Sequence, residues 1–215
     1  MKNYKYTEAW FSAEEIQSLL PVSGENEYHI LEIGSYEGKS TVWFIENLLN
    51  NPKSTITCID PWEDYSQNND TFDSYSANKT EWKVESIGVM ERFEYNINET
   101  GQSKQVNINR GKSQDVLSSL ILSNKKYDLV YIDGNHTAQY VLTDAVMSWF
   151  LTKKDSLIIF DDYYWPPSHM SDNINYKELE DTLCPKLAID NFVYLYRDYI
   201  KVLKVGHRYV IQRIK

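Results

Sequence analysis

The sequence contains no long apolar run, and this absence argues against a membrane-spanning helix. None of its apolar stretches approaches the roughly 20 residues that such a helix requires, so we expect no membrane partner. The first residues, Met1 to Tyr6, lack the apolar core of a secretory signal. Only two cysteines are present, Cys58 and Cys184, and they are far apart without metal-ligand spacing. These features predict a cytoplasmic protein whose thiols are reduced and structural.

Basic residues are also in short supply. Lysine and arginine number 22 against 31 aspartates and glutamates, a formal net charge of −9. Because nucleic acids are bound by concentrated positive charge, we expect no nucleic-acid partner. A chain of 215 residues that is 42% hydrophobic has an ordinary globular composition. We therefore expect a single domain over residues 1–215.

Aromatic residues, in contrast, are abundant. The chain has 17 tyrosines and 6 tryptophans, more than a core of this size requires. Such rings are typical of pockets and interfaces. We expect some of them to line a small-molecule pocket or the interface of a homodimer.

Strand and helix patterns alternate along the middle of the chain. Short, continuously apolar runs are typical of buried parallel strands, and they predict strands at His29–Ile33, Thr55–Ile59, Gln105–Asn109, Asp128–Ile132 and Leu157–Phe160. Helical patterns lie between them, at Ser40–Leu49, Glu85–Asn98, Ser113–Leu122 and Thr137–Phe150. This alternation predicts an α/β fold, an open parallel sheet with helices on both faces.

Three further segments complete the predicted organisation. An N-terminal helical segment, residues 1–27, contains a predicted helix from Thr7 to Leu20, with Ser12 and Glu15 in capping-box spacing. Residues 62–84 are polar and too long for a simple connection, which favours a lid or contact surface. After a helix-like stretch at Lys186–Arg197, two strand-like runs flank Gly206 and His207 and predict a C-terminal antiparallel hairpin.

The first predicted strand ends in an acidic residue and a glycine loop. Glu32, Gly34 and Gly38 are arranged as acid-x-Gly-x-x-x-Gly, and glycine lets backbone N–H groups approach a nucleotide-like ligand. A phosphate-binding P-loop needs four residues between its glycines, whereas this loop has three, and Glu37 would oppose phosphate. The nicotinamide pattern Gly-x-Gly-x-x-Gly is also missing.

The next two strands also end in polar residues, where ligands bind in such sheets. Asp60, followed by Trp62, could accept two hydrogen bonds from a ribose diol; the alternative is a turn residue before proline. Gly111 allows a close turn after the third strand. Ser113 could cap the following helix, contact adenine, or do both.

Three carboxylates follow the fourth and fifth strands. Asp133, Asp161 and Asp162 should converge, and clustered carboxylates repel unless a cation lies between them. Oxygen ligands suit Mg²⁺ or another hard divalent cation; the alternative is a helix cap with solvated neighbours. His136 lies three residues after Asp133, where it could act as a general base, although a loop histidine can also be purely structural.

With these residues in place, the chain resembles the class I S-adenosylmethionine-dependent methyltransferases, and in particular the metal-dependent O-methyltransferases of the catechol and macrolide-sugar type. The match runs in order from Ile30 to Asp162. It implies a Rossmann-like methyltransferase fold with a mostly parallel seven-stranded sheet and a C-terminal antiparallel hairpin. It also implies S-adenosylmethionine as cofactor, a divalent cation such as Mg²⁺, and a small-molecule hydroxyl acceptor.

The resemblance also implies roles for individual residues. The cofactor would be bound by Glu32, Gly34, Ser35, Tyr36, Gly38, Ser40, Asp60, Trp62, Gly111, Ser113 and Asp133. The metal would be bound by Asp133, Asp161 and Asp162. His136 would be the catalytic base, assisted by Asp133 through the metal.

The chain departs from the catechol enzymes at three places. Histidine stands where those enzymes have a catalytic lysine, residues 62–85 have no counterpart there, and the loop from Tyr163 to Pro167 is unusually aromatic. An aromatic loop suits a sugar or phenol acceptor, but equally a dimer interface. Two alternatives stay open: a catalytically silent relative that binds cofactor as an interaction or regulatory protein, and hydroxylase chemistry on the same fold.

Overall fold

The computed structural model describes residues 2–7, 10–20, 26–62, 88–165 and 184–215. Its strands are β1 (His29–Ile33), β2 (Thr55–Asp60), β3 (Val106–Arg110), β4 (Tyr127–Ile132), β5 (Thr152–Phe160), β6 (Ile200–Val205) and β7 (Tyr209–Arg213). Its helices are α1 (Lys39–Leu48), α2 (Val89–Thr100), α3 (Ser113–Leu122), α4 (Ala138–Trp149) and α5 (Pro185–Tyr196). The strands form one seven-stranded sheet of order β3-β2-β1-β4-β5-β7-β6.

This architecture confirms the predicted Rossmann-like methyltransferase fold. β4 is parallel to β1 and β5, and β3 is parallel to β2, whereas β7 is antiparallel to β5 and β6. The predicted strands and helices of the middle and C-terminal parts agree with the structure to within a few residues, apart from β5, which begins five residues earlier.

The chain divides into two compact units. The first comprises Met1–Tyr28 and Ser35–Lys112, with α1, α2, β2 and β3. β2 is almost fully buried because its side chains are apolar or small, and α1 buries an apolar face that includes Phe44 and Ile45. Gly38 has a φ of +80° immediately before α1, and a Cβ there would lie 2.9 Å from the Phe93 ring. A side chain at this position would therefore disturb both the turn and the packing of α2.

The second unit comprises His29–Gly34 and Ser113–Lys215. Its core lies around β1, β4 and β5, whose carboxyl-terminal halves are buried. On one side, Phe160 of β5 contacts Phe192 of α5, which stacks on Tyr196 with ring centroids 4.4 Å apart. The C-terminal hairpin continues this sheet, with Tyr209 opposite Phe160. Among the described residues, no helix combines the length and apolarity needed to cross a bilayer.

The predicted N-terminal helix from Thr7 to Leu20 is wrong over the residues that the structure describes. Within residues 10–20, only a 3₁₀ turn at Gln17–Leu19 is helical. The preceding backbone forms tertiary hydrogen bonds instead: Lys5 exchanges two with the Asn96 side chain, and Thr7 N–H donates to Glu37 at 2.6 Å. The Ser12 hydroxyl accepts from Glu14 N–H, a short turn rather than a capping box. Residues 63–84 of the predicted insert lie outside the described residues.

Candidate functional site

The loop after β1 runs directly against the end of β4. Asp133 N–H donates to Ile33 O at 2.8 Å. Gly34 has a φ of +86°, and a Cβ there would lie 1.9 Å from Asp133 O. Glycine is therefore required for the close backbone approach as well as for the turn. Glu32, at the end of β1, is fully buried.

In the first unit, Asp60 organises the predicted cofactor residues. Its side chain is 3% exposed, and its two oxygens accept Tyr36 N–H at 3.0 Å and Trp62 N–H at 2.7 Å. The Trp62 indole N–H donates to Tyr36 O at 2.8 Å, and Gly111 N–H donates to Asp60 O at 3.0 Å. The carboxylate thus joins the glycine loop to the residues after β2, and the Asp60 backbone carbonyl makes the link to the residue after β3.

Glu37, inside the glycine loop, was not predicted to bind anything. The residue is 1% exposed. It forms an ion pair with Arg92 of α2 and accepts two hydrogen bonds from Thr7. These contacts hold the loop between the N-terminal residues and α2. Since they come from distant parts of the chain, no local sequence pattern indicates them.

In the second unit, the carboxylates predicted to converge do so, and His136 lies among them. His136 Nε2 is 3.6 Å from Asp133 Oδ1 and 3.2 Å from Asp162 Oδ2. That nitrogen is buried, and it forms no hydrogen bond with the described residues. Trp165 lies beside the imidazole, with ring centroids 5.1 Å apart. Ligand atoms of Asp133, His136 and Asp162 all lie within 4.8 Å of one another.

The electrostatics of this cluster favour a cation. Burial, together with the neighbouring Asp161 and Asp162, raises the pKa of Asp133 to about 8, although His136 lowers it. Burial also raises the pKa of Asp162. For His136, burial opposes the charged imidazolium, but the closeness of the negatively charged Asp133, Asp162 and Asp161 outweighs it and raises its pKa. Positive charge among these groups would offset their mutual repulsion.

Asp161 has partners that the sequence did not reveal. Its Oδ2 accepts hydrogen bonds from Arg208 Nε and Nη2 at 3.0 and 2.9 Å, and also from the Tyr131 hydroxyl. Its Oδ1 accepts Asp162 N–H at 2.9 Å. Arg208 is 3% exposed, so this is a buried ion pair. Oδ1 is the oxygen on the side of His207, whose Nε2 lies 3.6 Å away.

His207, given no role by the sequence, joins the cluster from the turn between β6 and β7. Its Nε2 lies 3.0 Å from Asp162 Oδ1. The antiparallel pairing of β7 with β5 explains this position of His207. Because Tyr209 pairs with Phe160, the residues before Tyr209 must lie beside those after Phe160.

Ser113 and Asp144 form a further unpredicted contact. The Ser113 hydroxyl, at the start of α3, hydrogen-bonds to Asp144 of α4, which is 1% exposed. Burial raises the pKa of Asp144 to about 7, although this hydrogen bond lowers it. Asp144 Oδ1 forms no hydrogen bond with the described residues.

Solved structures of similar fold include O-methyltransferases. The Bacillus cereus O-methyltransferase, solved in complex with SAH, matches with a TM-score of 0.58 and 16% identity over 89% of this chain and 76% of that one. TomG from Streptomyces achromogenes, an O-methyltransferase of tomaymycin synthesis solved with SAM, matches with a TM-score of 0.61 and 15% identity over 89% and 75%. An SAH-bound methyltransferase from Podospora anserina matches with a TM-score of 0.56 and 19% identity over 87% and 72%.

The strand order and the antiparallel final hairpin are therefore those of a class I S-adenosylmethionine-dependent methyltransferase. The chain belongs to the family described as "Methyltransferase domain", whose model matches residues 31–163. A comparison with curated protein sequences finds no match.

Proposed function

We propose that this protein methylates a hydroxyl group of a small molecule, using S-adenosylmethionine and a divalent cation. The observation that carries the proposal is the convergence of Asp133, Asp162 and His136 after β4 and β5, in a chain of the methyltransferase-domain family. The O-methyltransferases of similar fold solved with SAM or SAH support the same reaction class. Four further expectations stay predictions: a single methyltransferase domain over residues 1–215, a lid or contact role for residues 62–84, a homodimer and a cytoplasmic location.

We assign cofactor binding to both units. In the first, the Asp60 carboxylate is the proposed ribose ligand, because Tyr36 and Trp62 N–H hold its oxygens and a carboxylate oxygen can accept a further hydrogen bond. Ser35, Tyr36, Gly38, Ser40, Trp62 and Gly111 complete the proposed contacts there. In the second, we propose Glu32, Gly34, Ser113 and Asp133.

The proposed metal ligands are Asp133, Asp161 and Asp162. The donor set fits a divalent cation, since the carboxylates are partly buried, close together and mutually repulsive. Asp161 offers Oδ1, because Arg208 and Tyr131 occupy Oδ2. When bound, such a cation polarises the acceptor oxygen and lowers the pKa of the hydroxyl.

His136 accepts the proton. As the methyl group passes from sulfur to the acceptor oxygen, the sulfur–carbon bond breaks and a carbon–oxygen bond forms. The hydroxyl proton moves to His136 Nε2, the nitrogen that faces Asp133 and Asp162. Trp165, in ring contact with His136, offers a flat apolar surface for a sugar or phenol ring. Holding acceptor and donor in line supplies much of the rate acceleration.

Removal of divalent cations tests the proposed metal. We expect EDTA-treated protein to lose at least about 10-fold in turnover, measured as SAH formation with a panel of catechols, phenols and sugars. Added Mg²⁺ or Mn²⁺ should restore it. Asp133→Asn should lower turnover by about 100-fold and leave the SAM dissociation constant within a few-fold of the wild type.

Asp128→Asn is the matched control, because Asp128 also belongs to β4 but pairs with Lys153 before the strand's carboxyl end. It should keep its turnover and its response to EDTA. If EDTA has no effect on turnover, and Asp133→Asn loses cofactor binding in proportion to turnover, the proposed metal role is wrong.

A further inference from the structure

His207 is aimed at the proposed metal ligands from an element outside the parallel sheet. The turn between β6 and β7 carries it, and its carbonyl accepts Tyr163 N–H at 2.8 Å, which fixes the backbone of the turn. The imidazole is half exposed, and its Nε2 lies 3.0 Å from Asp162 Oδ1 and 3.6 Å from Asp161 Oδ1. Ligand atoms of these three residues lie within 4.8 Å of one another.

Asp162 is flanked by imidazoles on both oxygens. His207 faces Oδ1, whereas His136 faces Oδ2 at 3.2 Å. His136 Nε2 is buried and forms no hydrogen bond with the described residues, so a second imidazole nitrogen is aimed at the Asp162 carboxylate from its other side. A buried nitrogen of this kind is costly unless it binds something. The donors around Asp162 therefore include nitrogen as well as oxygen.

We infer that His207 Nε2 is a further ligand of the cation, and that the site takes a transition-metal dication such as Mn²⁺, Fe²⁺ or Co²⁺ in preference to Mg²⁺. The inference rests on the proposed function, because it concerns the same cation. Mg²⁺ favours oxygen ligands, whereas imidazole nitrogen favours transition metals. An imidazole beside the carboxylates of Asp161 and Asp162 creates a mixed nitrogen–oxygen set, and His136 is left to act as the base.

Metal titrations of the complete chain test this inference. Co²⁺ and Mg²⁺ are each titrated calorimetrically, with Co²⁺ also followed by its visible absorption, which reports nitrogen coordination. Removing one ligand should weaken Co²⁺ binding of His207→Ala by at least about 10-fold and change its spectrum. Mg²⁺ binding should change by less than about 3-fold, because Mg²⁺ relies on oxygen ligands.

His29→Ala is the control for non-specific imidazole binding, since His29 lies at the opposite, amino end of β1. It should retain both affinities. Equal weakening of Co²⁺ and Mg²⁺ in His207→Ala would mean that His207 only orients Asp162, and the inference would be wrong. Unchanged Co²⁺ binding would also overturn it.

Cofactor binding separates this inference from the proposed function. SAM affinity and EDTA-sensitive turnover are measured on the same proteins. If His207→Ala leaves Co²⁺ affinity unchanged while the wild type binds SAM and loses turnover in EDTA, His207 is not a ligand and the methyltransferase proposal stands. If the wild type shows neither property, the proposed function itself fails.

Discussion

Replacing Asp161 by alanine is expected to cost about 3–5 kcal/mol of folding stability. The Arg208 guanidinium is 3% exposed and forms two hydrogen bonds with Asp161 Oδ2. Without the carboxylate, a buried positive charge and the buried Tyr131 hydroxyl each lose this hydrogen-bond acceptor. Removing one member of a buried pair is costly because the other remains desolvated. Urea unfolding at pH 7 measures the effect.

A double substitution distinguishes this pair from ordinary packing. Asp161→Leu combined with Arg208→Met removes both charges and should be more stable than either single variant. Lys2→Ala is the matched control: it breaks an exposed ion pair with Glu46 and should cost less than about 1 kcal/mol. Were Asp161→Ala no more damaging than Lys2→Ala, the buried pair would not stabilise the fold.

Asp144→Asn is expected to stabilise the protein increasingly as pH rises. Burial raises the pKa of Asp144 from 3.8 to about 7, so the folded state keeps a proton that the unfolded state loses. The wild type therefore loses stability as pH rises from about 4 to about 7. Asparagine cannot ionise and avoids this cost, which amounts to up to about 4 kcal/mol at pH 8.

Urea unfolding of both proteins at pH 4.5, 6 and 8 measures the gain. It should be small at pH 4.5 and largest at pH 8. Asp115→Asn removes an exposed carboxylate from α3, and its stability should follow the wild type at every pH. Two outcomes would contradict this prediction: a gain in stability that does not depend on pH, or an Asp144→Asn variant that is less stable than the wild type at pH 8. Either would show that ionisation of Asp144 does not lower the free energy of unfolding.

The parallel part of the fold could be predicted because each buried strand has a local signature. The run from His29 to Ile33 is apolar apart from His29 and Glu32, and glycine follows it, so both the strand and its loop could be found from neighbouring residues. Since parallel strands end at one edge, the convergence of Asp133 with Asp162 also followed from the order of elements.

What the sequence did not reveal depends on contacts between distant residues. Arg208 and His207 reach the carboxylates only through the register of β7 on β5. Asp144 is a polar residue on the buried face of α4, with Val141 and Ala145, and only the structure shows Ser113 beside it. The predicted N-terminal helix is wrong because Thr7 N–H donates a hydrogen bond to Glu37, and such tertiary hydrogen bonds override helix propensity.

Calorimetric titration with S-adenosylmethionine tests the central claim most directly. We predict binding with a dissociation constant in the micromolar range, which corresponds to a binding free energy of about −8 kcal/mol. In Asp60→Ala, the affinity should be at least about 10-fold lower. Asp115→Ala should bind as the wild type does. If S-adenosylmethionine does not bind to the wild type, either with or without a divalent cation, the assignment of this chain as an S-adenosylmethionine-dependent methyltransferase is contradicted.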